Sequence, residues 1–288
     1  MSTKTPIDRF FYWVKERHNI YKLKEAGKPK PWTDDPVLQK YFFTNPYREN
    51  DKVTKWFREN IRDPLKSKPE VFFATVLFRW FNKPDPTGNF ILKHNLHLKW
   101  REKFAVKNLK EIWNDGEQPV FTGAFMIKAG NGPRGSKIPS VCNCITNVWR
   151  ERWSLVKFIG ESNSMEESCR RLQEFPGLGS FMSYEIVCDL RYTYLLKEAK
   201  DKMTWCNIGP GARRGMNRIL GKEVLESNIP KEVWNEETQR LLKLSRKCRL
   251  GFEMREIEHS LCEFDKYERA RNGETSKMKR TYNGVSER

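Results

Sequence analysis

Leu172-Gln-Glu-Phe-Pro-Gly-Leu-Gly-Ser-Phe-Met-Ser-Tyr-Glu-Ile186 is the stretch on which the reading of the fold turns. An apolar residue leads into Phe175-Pro176-Gly177-Leu178-Gly179, and a strongly apolar helix is expected at once afterwards. Two glycines one residue apart permit a tight turn with φ > 0 and leave backbone N–H groups uncovered. Aimed outward at the start of a helix, those groups suit one phosphate. A helix-hairpin-helix grips a nucleic-acid backbone in this way without reading its sequence. A plain helix-loop-helix connection would use the same letters. Charge favours nucleic acid: 54 Lys+Arg against 37 Asp+Glu leave a formal +17.

Composition sets the bounds. At 288 residues the chain can bury a core in one large domain or two small ones. A mean hydropathy of −0.77 and the lack of any apolar run near ~20 residues argue against a membrane span. Met1 to Pro6 has no apolar core of a secretory signal, and seven cysteines, an odd number, suit a reducing cytoplasm. Aromatic content of 13% points to an ordered globule, with surplus aromatics available to stack on bases.

The pattern is helical nearly throughout. Val71 to Phe81 (VFFATVLFRWF) is apolar on almost every face, which predicts a buried helix, although its length also allows a strand. Arg79 interrupts it, and a buried guanidinium needs a carboxylate or a ligand-filled cavity. Leu96 to Trp113 reads as a basic amphipathic helix. Ala129 to Pro139 (AGNGPRGSKIP) is glycine-rich and basic, but its Gly-Ser-Lys order is not that of a P-loop. Arg134 and Lys137 are candidate phosphate contacts there, a solvated loop being the alternative. The second hairpin helix is expected over Phe181 to Leu196. Glu185 and Asp189 share a face of it, and their like charges call for an arginine such as Arg79 or Arg191, or for a ligand. Arg255 to Tyr267 predicts a helix packed through Ile257, Leu261 and Phe264, with Glu258, His259, Glu263, Asp265 and Lys266 mostly toward solvent.

Trp205-Cys206-Asn207-Ile208-Gly209-Pro210-Gly211-Ala212-Arg213-Arg214-Gly215 is the second dense motif. Gly-Pro-Gly opens a helix with uncovered N–H groups, and two arginines follow on its first turn. Helix N-terminus and guanidinium forks together suit a di-anion, whereas a simple cap needs no arginines. Cys142-Asn143-Cys144 has no companion at zinc spacing, and His94 with His97 lacks a third ligand. No metal and no cofactor are expected. Cys142, Cys144 and Cys188 read as small buried hydrophobes, and no nucleophile elbow or kinase signature is visible.

The hairpin resembles that of the helix-hairpin-helix DNA glycosylase superfamily. The longer pattern resembles one phage-associated branch, the alpha-glutamyl/putrescinyl thymine pyrophosphorylases, whose relatives include the helical domain joined to 5-hydroxymethyluracil DNA kinases. The resemblance rests on residues 31–38 (PWTDDPVL), 43–51 (FTNPYREND), 77–82 (LFRWFN), 175–190, 205–215 and 261–267 (LCEFDKY), covering roughly residues 5 to 270. It implies an all-α, helix-hairpin-helix DNA-glycosylase-like helical fold. An N-terminal helical segment, 1–70, would pack on a core, 71–270, with the hairpin at 172–190 and a basic flexible tail at 271–288.

It also implies a hypermodification pathway in the host bacterial cytoplasm. A DNA kinase places pyrophosphate on 5-hydroxymethyluracil in double-stranded DNA, and the pyrophosphorylase-like protein displaces it with an amino acid or putrescine. No Walker A motif occurs in this sequence, so the transferase role is the expected one. Partners would be modified double-stranded DNA, the amine and a DNA kinase of the same pathway, with no membrane. Reaching the exocyclic carbon requires extrusion of the nucleotide. Gly209, Gly211, Arg213 and Arg214 would hold the departing pyrophosphate. Glu185 or Asp189 would serve as base within a catalytic set completed by Arg79 and Asn207. Trp205 would stack on the pyrimidine, and Gly177, Gly179, Lys137 and Arg134 would meet the DNA backbone.

Two alternatives stay open. A glycosylase of this superfamily usually carries an essential Asp beyond the hairpin, where this chain has Asn207-Ile208-Gly209-Pro210-Gly211. The nearest carboxylate is Asp201, and residues 180–196 contain no Lys for a Schiff base. A non-catalytic DNA-binding module would need only the hairpin and the charge.

Overall fold

The computed structural model describes residues 5–114, 117–125, 127 and 137–274. Among these the architecture is all-helical, with no strand. In chain order the helices are α1 (Pro6–Glu25), α2 (Pro36–Lys40), α3 (Lys52–Phe57), α4 (Asp63–Leu65), α5 (Glu70–Phe81), α6 (Asn89–Lys93) and α7 (Glu102–Trp113). They continue as α8 (Lys137–Ser162), α9 (Met165–Leu172), α10 (Ser180–Leu190), α11 (Pro210–Leu220), α12 (Lys231–Lys247) and α13 (Met254–Arg271). Two compact units result: Met1–Asp51 joins Ile208–Arg288 in the first, and Lys52–Asn207 forms the second.

The second unit is built around α5. Being apolar on every face, α5 is buried from Val71 to Phe81 and packs against α8 and α10. Helix rather than strand is the outcome, and Asn82 ends it in the left-handed conformation at φ 45°. Helices α9 and α10 pack against each other across the turn at residues 173–179. Gly177 in that turn has φ +80°, and a Cβ there would lie 2.6 Å from the Trp80 ring. Conformation and packing therefore both demand glycine. Two helices are shorter than the sequence pattern suggests. Leu96 to Trp100 forms turns before α7, and α10 stops at Leu190, where Thr193 returns its hydroxyl to the Leu190 carbonyl at 2.7 Å.

The first unit is built around α13, against which α1, α2, α11 and α12 all pack. Thr5 and Asp8 close a capping box on α1 with Pro6 in its first turn. Phe10, Trp13 and Val14 are then buried, Phe10 edge-on to Phe264 at 5.5 Å. Because α13 has neighbours on several sides, Glu263 and Asp265 are buried rather than solvent-facing as expected. The helix also runs through Arg271, so the start of the expected tail is helical, while 275–288 fall outside the described residues.

Candidate functional site

In the second unit, α10 places Asp189 fully buried opposite Arg79 of α5. The guanidinium donates through Nε and Nη2 to both carboxylate oxygens, at 2.5 and 2.8 Å. Nη1 donates to Asn82 Oδ1 at 2.7 Å, and the Phe57 ring lies 5.0 Å from the guanidinium carbon. Two charges shielded from water are tolerable only with such complete pairing. With 1% and 0% of their side chains exposed, Arg79 and Asp189 present nothing for a substrate to touch. Their expected catalytic place gives way to a structural one, because each neutralises the other. Glu185, one turn before Asp189, is also buried.

The hairpin tip is open by contrast. Gly179 caps α10, and a Cβ there would meet nothing within 4 Å. Phe181 follows, about half exposed at 48% and edge-on to Phe125. Trp205 packs edge-on against Tyr184, and Asn207 reaches the Ser180 carbonyl over 3.5 Å. Lys137, first residue of α8, lies over the Phe121 ring at 4.6 Å, and burial lowers its pKa. Arg134 falls outside the described residues.

In the first unit the Gly-Pro-Gly-Ala-Arg-Arg motif opens α11, as its letters predict. Gly209 is the N-cap. The glycines four apart serve packing: a Cβ on Gly211 would collide with the Cys262 side chain, and one on Gly215 with the Leu261 carbonyl. Arg214 donates Nε to the buried Asp265 at 2.8 Å, and Arg218 donates to its other oxygen at 3.0 Å. Arg214 thus ties α11 to α13 through Nε, while about a third of its side chain stays exposed. Arg213, its neighbour, is partly exposed and makes no ion pair with a described residue.

Beside this helix start lies a group of side chains that the sequence pattern assigned to solvent. Glu258 is half-buried, and its Oε1 would sit 3.2 Å from a Cβ on Gly209. Burial raises its pKa to about 8, against the pull of Arg48 and Arg255 toward the ionised form. His259 is pushed the other way by burial, to about 4, and is neutral. Its Nε2 lies 3.2 Å from the Asn45 carbonyl and 3.1 Å from the Thr44 hydroxyl. Nε2 can donate to that carbonyl or accept from that hydroxyl, according to the tautomer. Glu263 fixes the same loop by accepting the Thr44 N–H at 2.9 Å, and Lys266 and that N–H hold it below its ordinary pKa despite burial.

A family model described as "5-hmdU DNA kinase, helical domain" matches residues 4–277. The chain belongs to the 5-hmdU DNA kinase helical-domain family. It is similar to a protein named 5-hmdU DNA kinase from Bacillus phage SP10, with 30% identity over 92% of this chain. The match spans only 45% of that phage protein's length. No solved structure matches.

This helical-domain chain brings together residues from blocks that are far apart in sequence. Thr44, Asn45 and Arg48 come from the 43–51 block, and Glu258 and His259 from the helix that carries 261–267. Reading α13 as one apolar stripe hid Glu258. The available signal was the Gly209 motif, which needs a close neighbour.

Proposed function

We propose that this chain is a DNA base-modifying transferase of phage thymine hypermodification. It displaces pyrophosphate from 5-(pyrophosphoryloxymethyl)uracil in DNA with an amine, either an amino acid or a polyamine. The family match over residues 4–277 carries this reading, since the relative it brings is named for work on 5-hydroxymethyluracil DNA. The matching family model is described as a helical domain, and no Walker A motif occurs in these 288 residues. The shared segment therefore accounts for handling the modified DNA rather than for binding ATP.

The uncovered amides at Gly179, with Gly177 shaping the turn, meet a DNA phosphate. The net +17 supplies the sequence-independent attraction. Exposed Phe181 and half-buried Trp205 offer rings to an unstacked base, and Asn207 offers an amide. Gly209, Gly211 and Arg213 hold the leaving diphosphate, while Arg214 positions α11. Arg79, Asp189 and Glu185 keep α5 and α10 in register. In the host cytoplasm a kinase of the same pathway supplies the substrate.

The deciding experiment gives the protein duplex DNA with pyrophosphorylated hydroxymethyluracil together with glutamate, glycine or putrescine. The DNA is then digested and its nucleosides weighed. Released pyrophosphate with a mass gain on the modified nucleoside is the expected result. Free base or alkali-labile breaks would replace the transferase by a glycosylase. Unchanged nucleosides with retained DNA would leave a binding module.

A further inference from the structure

The acids of α13 fall into two kinds. Glu256 pairs with Arg255 at 3.0 Å, Asp265 with Arg214 and Arg218, and Glu268 with Arg9 at 2.9 Å. Glu263 is taken by Thr44 N–H and by Lys266 at 2.9 Å. Glu258 makes no hydrogen bond or ion pair with a described residue, yet it keeps some accessible surface. An unpaired carboxyl set among buried neighbours but still open to solvent is accessible to a bound group. Its surroundings are those of a reaction site rather than a salt-bridge network. Arg48 comes from the 43–51 loop, Arg255 and Cys262 from its own helix, neutral His259 stands next to it, and α11 presents the bare Gly209 backbone.

We propose that Glu258 is the proton-transfer residue of the base-modifying step, giving a proton to the departing diphosphate and then taking one from the newly bonded amine. The proposal rests on the transferase reading. The amine nitrogen uses its lone pair to form the bond to the exocyclic methylene carbon. The carbon–oxygen bond breaks, and its electron pair leaves on the diphosphate oxygen, which receives the Glu258 proton. The resulting carboxylate removes a proton from the alkylated ammonium, so the enzyme ends as it began. Arg48 offsets charge on the diphosphate side.

Two measurements on the full chain test this. In the first, 13C-carboxyl-labelled glutamates are titrated with and without inorganic diphosphate, and the Glu258 signal is assigned by its loss in Glu258→Gln. One carboxyl titrating near 8 and moved by diphosphate is expected. An ordinary carboxylate titration, or a signal indifferent to diphosphate, overturns the assignment. In the second, pyrophosphate release from modified DNA is followed against pH. Glu258→Gln should lose about 100-fold or more in kcat. It should also lose the alkaline fall of kcat/KM while binding DNA within about twofold of wild type and melting no lower. Equal loss of binding or of folding makes Glu258 a structural residue and overturns the proposal. Should the wild-type protein release no pyrophosphate with any amine, the transferase reading fails, and the diphosphate titration alone decides whether Glu258 faces such an anion.

Discussion

Arg79 and Asp189 show how a single residue exposes a constraint on the fold. A guanidinium in the middle of an otherwise apolar helix demanded a partner, and the structure supplies a two-pronged one from α10. Asp189→Asn should therefore cost about 3–5 kcal/mol in urea unfolding, because it strands a buried positive charge. Asp189→Leu combined with Arg79→Met should recover most of that loss. A single-variant loss below ~1 kcal/mol would show that water reaches the pair. The need for a carboxylate was legible in the letters of α5. Its choice between Glu185 and Asp189 was not, because both lie on one helical face and only the packing angle selects between them. Glu258 was illegible for another reason. Sequence periodicity marks one packed stripe, and α13 is covered on more than one.

At the scale of elements, the α11–α13 contact rests on close backbone approach. Gly211 and Gly215, one turn apart, remove the side chains that would hold the helices away from each other, and Asp265 then clasps Arg214 and Arg218. Gly215→Ala should destabilise by about 1–3 kcal/mol, since its methyl meets a backbone carbonyl that cannot swing aside. Gly209→Ala should cost much less, its neighbour being the end of a glutamate side chain. Equal costs measured by denaturant melts would contradict this account of the packing. The glycine motif was correctly read as a helix start. The close-packing role of Gly211 and Gly215 was not legible, because glycine serves packing as readily as it uncovers amides. The hairpin was legible for the opposite reason, because its glycines sit in a turn where one has positive φ and the other faces open space.

At the scale of the whole molecule, charge dominates. A formal +17 predicts that affinity for unmodified duplex DNA falls by about 10³ or more between 50 and 200 mM salt, as expected for roughly six or more phosphate contacts. A loss of only about tenfold in a fluorescence titration would confine DNA contact to little more than the hairpin. The all-helical class was legible in the buried and amphipathic helical segments, such as residues 71–81 and 96–113. The chain's division into units did not, because nothing local in residues 1–51 announces that their partners lie beyond residue 207.

That arrangement has a consequence for biosynthesis. The apolar side of α1, with Phe10 and Trp13, leaves the ribosome long before α13 exists to cover it. At ~5–20 residues per second the wait is roughly twelve to fifty seconds. During that interval the nascent α1 segment is a sticky client for a chaperone, and a ribosome that stalls before α13 strands it there.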